Sequence, residues 1–293
     1  MAENSKIEWT HHTFNPWIGC QKVGPGCDNC YAEAQNDFRK WNGAGWGAHA
    51  PRKRTSTSYW RQPLKWDRDA AASGERRRVF CASLADVFDN HASILPEWRA
   101  DLWALIAVTP NLDWMLLTKR PGNIGNMLPV PFDFEKQYPN VWLGCTIVNQ
   151  DEADRDIPKL LAVPAKVRFL SMEPLLGPVS LRWLAAWPEN APTTAMSPSG
   201  ATSDLDGLRC LDLVIVGGES GPYARPMHPD WARSLRDQCV SAGVAFHFKQ
   251  WGEWASVPEA GDESGHFKRV GKKAAGRILD DRTWDQMPGP RHD

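Results

Sequence analysis

Three cysteines lie within eleven residues of one another, Cys20, Cys27 and Cys30, in the spacing C-x6-C-x2-C. The other four, Cys81, Cys145, Cys210 and Cys239, are scattered singly. Between the first two, Val23-Gly24-Pro25-Gly26 is turn chemistry: proline presets φ and glycine permits positive φ, so the backbone can fold back on itself. Such a loop lets three thiolates converge on one point. The run Tyr31-Ala32-Glu33-Ala34-Gln35-Asn36-Asp37-Phe38 is rich in helix formers. It predicts a helix whose N-terminal dipole favours the thiolate form of the cysteine before it.

Three converging thiolates point to a metal, and two metals suit them. Structural zinc closes a tetrahedron with four ligands, and His11 and His12 are the only nearby imidazoles to complete one. A [4Fe-4S] cube held by three cysteines leaves one iron open for an exogenous ligand. An enzyme that uses S-adenosylmethionine as a radical source requires that arrangement. Its open iron chelates the amino and carboxylate groups of the cofactor, and one electron cleaves the C–S bond. The third reading, reduced cysteines that merely pack, leaves the Gly/Pro loop without a purpose. Zinc would go with a non-catalytic nucleic-acid-binding or adaptor protein, and the cube with an enzyme.

The elements that must position this loop read as a series of short apolar runs. Val79-Phe80-Cys81-Ala82, Trp114-Met115-Leu116-Leu117, Val141 to Ile147, Val167 to Leu170, Leu213 to Val216 and Ala245 to Phe248 suit strands buried on both faces. Each runs into polar, ionisable or glycine residues. Leu95 to Val108, Asp151 to Leu161 and Asp230 to Val240 carry apolar residues near helical spacing. Strands alternating with helices imply parallel βαβ units, and six or seven of them suggest an α/β fold, a partial or complete β/α barrel. Function in barrels collects at the carboxyl ends of the strands. There the sequence puts Ser83, Asp86, Lys119, Arg120, Asn149, Gln150, Glu173, Glu219, Lys249 and Gln250.

Residues 1–253 are therefore expected to form the barrel domain, with the cysteine loop at 17–31. A mobile insertion rich in Ala, Pro, Ser and Thr is expected over about 185–207, and a C-terminal extension over 254–293. The chain has 34 basic and 35 acidic residues among 293, which excludes a globally basic nucleic-acid coat protein but leaves room for a local basic patch. One candidate patch is Arg52 to Arg61 with Lys65-Trp66-Asp67-Arg68, where cations interleave with Tyr59, Trp60 and Trp66. That mixture suits a phosphate backbone with bases to stack upon. No apolar run approaches the roughly 18 residues of a membrane helix. The opening Met1-Ala2-Glu3-Asn4-Ser5-Lys6 lacks the apolar stretch of a secretory signal, so a cytoplasmic protein with no membrane partner is expected.

Ile7-Glu8-Trp9-Thr10, Thr13-Phe14-Asn15-Pro16-Trp17-Ile18-Gly19-Cys20 and Gly26-Cys27-Asp28-Asn29-Cys30-Tyr31-Ala32 resemble the opening of a phage and prophage family of unknown function with a three-cysteine motif. The resemblance continues through Leu116 to Pro121, Ser171-Met172-Glu173-Pro174-Leu175-Leu176-Gly177, Gly217-Gly218-Glu219-Ser220-Gly221 and Lys249-Gln250-Trp251-Gly252. That family is similar to radical S-adenosylmethionine enzymes, which implies a β/α barrel with a cluster loop after its first strand. The resemblance implies Cys20, Cys27 and Cys30 as ligands of a [4Fe-4S] cluster with S-adenosylmethionine as cofactor. The spacing departs from the C-x3-C-x2-C of common radical enzymes, and the aromatic residue, Tyr31, follows the third cysteine.

On this reading Ser83 and Asp86 are the preferred cofactor contacts, joined by Tyr31, Asn149 and Gln150. Lys119, Arg120 and Lys249 would bind an anionic substrate, a nucleotide or DNA base, while Glu173 and Glu219 orient it or move protons. An external electron donor and a partner protein complete the expected partners. A hydrolytic barrel using Asp86, Glu173 and Glu219 is a further alternative, and it leaves the cysteines unexplained.

Overall fold

The computed structural model describes residues 3–43, 45–130, 132–182, 184–185, 204–257 and 266–289. Seven strands form one sheet: β1 (His12–Thr13), β2 (Arg77–Cys81), β3 (Leu112–Thr118), β4 (Val141–Thr146), β5 (Val167–Met172), β6 (Leu213–Gly217) and β7 (Ala245–Gln250). Their order in the sheet is their order in the chain, the topology of a β/α-barrel wall rather than of a doubly wound sheet. The pairings β1·β2, β2·β3, β5·β6 and β6·β7 are all parallel. Helices α1 (Tyr31–Arg39), α2 (Gln62–Ser73), α3 (Pro96–Ala107), α4 (Gln150–Leu161) and α5 (Pro229–Ala242) fill the crossovers, so the protein is α/β.

The chain folds as two compact units, Met1–Gly144 with Val163–Val167, and Cys145–Ala162 with Arg168–Asp293. In the first, Val79 pairs with both His12 and Trp114 and is fully buried, as are Trp114, Met115 and Leu116. Burial on both faces is why these strands read as unbroken apolar runs. In the second, Leu213, Val214, Ile215 and Val216 are fully buried between β5 and β7. Each buried aliphatic side chain contributes about 1.5–3 kcal/mol relative to exposure. The helices end where the sequence offers a left-handed residue: α2 at Gly74 and α5 at Gly243, both with φ near +70°. Pro96 and Pro229 open α3 and α5 in the first turn, where their missing N–H costs nothing.

The segment 52–68 lies between β1 and β2. It forms a short helix, Thr57–Trp60, and then α2, with Pro63, Trp66 and Ala70 buried at helical spacing. Trp66 is 1% exposed and Tyr59 is buried, its hydroxyl accepting from the Asn15 amide and donating to the Thr13 carbonyl. Arg52 is buried, and Arg54 stacks on Trp60 while pairing with Asp101. Tyr59 and Trp66 thus serve the core, which takes two of the three rings that the sequence offered for stacking on bases. The abundance of tryptophan has the same origin: Trp9, Trp17, Trp66 and Trp114 are at most 1% exposed.

Residues 186–203 of the expected insertion lie outside the described residues; its flanks, Leu184–Ala185 and Asp204–Leu205, pair antiparallel. The expected extension begins as an antiparallel ribbon, Trp254–Val257 with His266–Arg269. The chain then returns along β7. The Phe248 amide donates to the Trp284 carbonyl, the Gln286 amide donates to the Phe246 carbonyl, and His247 bridges Asp285. The outer edge of the last strand is thereby covered. Among the described residues no helix is long and apolar enough to cross a membrane.

Strand β1 was not legible as an apolar run because its residues are polar. His12 stacks on Trp66, ring centroids 4.4 Å apart, and His11 Nδ1 accepts a 2.8 Å hydrogen bond from the Arg78 amide. Burial, with Arg78 and Arg77 nearby, depresses the His11 pKa from 6.5 to about 4, and burial lowers that of His12 as well. Between these values the unfolded chain binds protons that the folded one refuses. Stability is therefore full above the unfolded pKa and falls as pH drops from about 6.5 towards 4. Urea unfolding at about pH 7.5 and pH 5 should show that loss, and in the His11→Gln/His12→Gln variant the difference between the two pH values should shrink.

Candidate functional site

In the first unit the cysteine loop begins where β1 has run out. Gly19 donates to the Leu84 carbonyl and has φ of +117°, and a Cβ there would fall 2.9 Å from Arg52 Cδ, so glycine is required before Cys20. Pro25–Cys27 forms one 3-10 turn, closed by the Cys27 amide on the Gly24 carbonyl. Cys30 is the N-cap of α1, as the sequence predicted, and its side chain packs with Trp41 and Trp46 on Ile18, Ala32 and Leu84. Lys22 ties the loop shut, donating to the Asp28 carbonyl and pairing with Glu33. The Tyr31 hydroxyl donates a 2.6 Å bond to the Ser83 carbonyl, fixing α1 to the end of β2.

Asp86 is saturated. It accepts from the Thr118 hydroxyl at 2.8 and 3.0 Å, from the amides of Phe88 and Lys119, and from Arg120 Nη1 at 2.8 Å. Arg120 Nη1 also points at Cys20 Sγ, 3.6 Å away, and Nη2 donates to the Gln21 carbonyl at 3.1 Å. Behind this pair lies a second one, Arg52 Nε to Asp89 at 2.8 Å, with both side chains fully buried. Arg99 joins it through the Asp89 and Val87 carbonyls. Burial first, and then Asp86, push the Cys20 thiol up to about 11, with Arg120 opposing both. A coordinated metal deprotonates a thiol outright, so this value describes the free side chain.

His11 accepts from the Arg78 amide and His12, in β1, stacks on Trp66 of α2, several residues before the loop. Among the described residues, no three His, Cys, Asp or Glu side chains gather closely enough to share one metal ion. A cube places each thiolate on a different iron and so asks for wider spacing than a single ion does. The donor set is three cysteines of one loop with a guanidinium aimed at the first, soft sulfur ligands of the kind that hold zinc or an iron–sulfur cluster.

In the second unit Lys249 Nζ, from β7, meets Glu173 Oε2 at 2.9 Å, beyond the end of β5. The other oxygen, Glu173 Oε1, is buried without a hydrogen-bond partner and lies against β6, where a Cβ on Gly217 would come within 2.4 Å of it. Gly218 packs against the Trp251 carbonyl, 1.9 Å from where its own Cβ would be, and donates to the Gln250 carbonyl. The Gly-Gly and Gln-Trp-Gly motifs are thus two halves of one backbone contact.

Glu219 is held by Arg225, which donates through its amide, Nε and Nη2. Asn149 caps α4 by accepting from the Glu152 amide, and Gln150 exchanges hydrogen bonds with Ser180. Both have structural work. Lys119 is partly buried, and its amide is one of the donors to Asp86.

The sequence family described as Protein of unknown function (DUF5131) matches residues 4–288. The chain belongs to that family. No curated protein and no solved structure matches it.

For this DUF5131 member, Asn15 is the site residue that pattern reading passed over. Its Oδ1 accepts from the Leu84 amide at 2.7 Å and its Nδ2 donates to the Ser83 hydroxyl, so it sets the turn beneath the cysteine loop. The signal was a lone polar residue between Phe14 and Trp17, which must find partners once buried. Arg52, Asp89 and Arg99 were likewise missed because their partnership joins distant segments. The close approach at Gly218 gives a direct expectation. Gly218→Ala should lose about 3 kcal/mol in chemical denaturation, since backbone must move to admit the methyl. Gly125→Ala, with open space around it, should change stability little.

Proposed function

We propose that the protein is a radical S-adenosylmethionine-type iron–sulfur enzyme, with Cys20, Cys27 and Cys30 holding a [4Fe-4S] cluster and one iron left for the cofactor. When bound, the cluster and S-adenosylmethionine supply a 5′-deoxyadenosyl radical able to abstract hydrogen from a substrate. The observation that carries this reading is the charge around Cys20. Arg120, itself paired with Asp86, turns Nη1 to Cys20 Sγ at 3.6 Å and Nη2 to the Gln21 carbonyl, so a guanidinium donor stands beside the first cysteine. A guanidinium donor aimed at a sulfur suits a thiolate more than a thiol, and three thiolates around a cube are such acceptors. The chain order of the strands supports the same reading, because it is that of a partial β/α barrel with the cysteine loop after its first strand.

The residues of the first unit then hold and orient the loop. Asn15 and Tyr31 fix the Ser83 turn, at which Ser83 is the proposed cofactor contact, whereas Asp86 acts through Arg120. In the second unit, Lys249 is paired with Glu173 at 2.9 Å. The proposed substrate is a nucleotide, a DNA base or another anion, for modification or repair.

Anaerobic reconstitution with iron and sulfide should yield a brown protein absorbing broadly near roughly 400 nm, as iron–sulfur charge transfer does. Added reductant and S-adenosylmethionine should then release 5′-deoxyadenosine. The Cys20→Ala/Cys27→Ala/Cys30→Ala variant should lose both colour and cleavage. A colourless wild type carrying one zinc per chain would overturn the proposal.

A further inference from the structure

We infer that Arg120 is a positioning residue for Cys20 that raises the reduction potential of the cluster, and that Asp86 is the counter-charge that limits the rise. The inference rests on the iron–sulfur reading of the loop and goes beyond it. From sequence, Arg120 was a candidate for binding an anionic substrate, but the structure directs its guanidinium inwards. Nη1 is shared between Asp86 Oδ2 at 2.8 Å and Cys20 Sγ at 3.6 Å, and Nη2 holds the Gln21 carbonyl. The side chain is only 8% exposed, so water screens these contacts poorly. The Arg120 amide donates to Thr118 Oγ1, which itself donates to Asp86. Strand end, carboxylate and guanidinium are therefore fixed as one piece, with the cation facing the sulfur.

A donor and a positive charge on a ligand sulfur stabilise the reduced cluster, which carries one more electron, over the oxidised one. The electron comes from an external reductant, and the arginine gives up no proton. Removing the cation should make reduction harder. Removing the neighbouring anion should make it easier.

The test compares wild type, Arg120→Gln, Arg120→Lys and Asp86→Asn, each reconstituted anaerobically and titrated with dithionite while the reduced cluster is followed by electron paramagnetic resonance. With equal iron per chain, Arg120→Gln should shift the midpoint to more negative potential by about tenfold in the reduction equilibrium, about 59 mV for a one-electron couple. Arg120→Lys should recover most of that shift, and Asp86→Asn should move the midpoint the other way. Opposite signs at two adjoining positions are not produced by general disturbance of the fold. Equal midpoints in wild type and Arg120→Gln at equal loading would overturn the inference while leaving the cluster in place. Should Arg120→Gln fail to fold, unchanged midpoints in both Arg120→Lys and Asp86→Asn would overturn it instead. A wild type that takes up no cluster removes the underlying reading, and this is seen in colour and iron content before any potential is measured.

Discussion

The first unit depends on the ion pair between Arg120 and Asp86. A carboxylate buried at a strand end is stable only when every lone pair is met, and Asp86 meets its need with donors from Phe88, Thr118, Lys119 and Arg120. Those donors lie on two segments, the end of β3 and the turn after β2, so satisfying one side chain locks both in register. Arg120 then has donors to spare, and it spends them on Cys20 and Gln21. The conformation of the cysteine loop is thereby tied to the sheet rather than left to its own turn propensities.

The second unit solves a different problem, the close approach of backbone to backbone. Gly217 admits the Glu173 carboxylate and Gly218 admits the Trp251 carbonyl. Gln250 reinforces the contact by donating to the Gly218 carbonyl and accepting from the Gly252 amide. Nothing larger than hydrogen fits at either glycine without movement. The motif Gly217-Gly218-Glu219 thus encodes packing at its first two positions, and at its third a carboxylate paired with Arg225.

The six apolar strands and the helices α1, α3, α4 and α5 could be read from the chain because local pattern and burial agree there. Strand β1 could not, since His12 and Thr13 are buried through a stacked Trp66 and through hydrogen bonds rather than through apolar character. Helix α2 is masked by Lys65 and Arg68, whose charges flank Trp66 and interrupt the apolar stripe of Trp66 and Ala70. Within the candidate site the cysteine loop was legible because its residues are consecutive. The Arg120–Cys20 contact was not, because it joins residues 100 positions apart, and no local pattern records such a pairing. Arg225 lies only six residues after Glu219, yet whether a side chain at that distance turns back is decided by the intervening turn.

The return of Trp284 to Gln286 along β7 has a consequence for biosynthesis. Until residue 286 has emerged from the ribosome, β7 presents a bare row of amides and carbonyls to its surroundings. Nascent chains stalled before that point would offer a template for intermolecular strand addition. A shortened chain ending ahead of Trp284 would keep that template permanently, so its failing would be seen first as poor solubility.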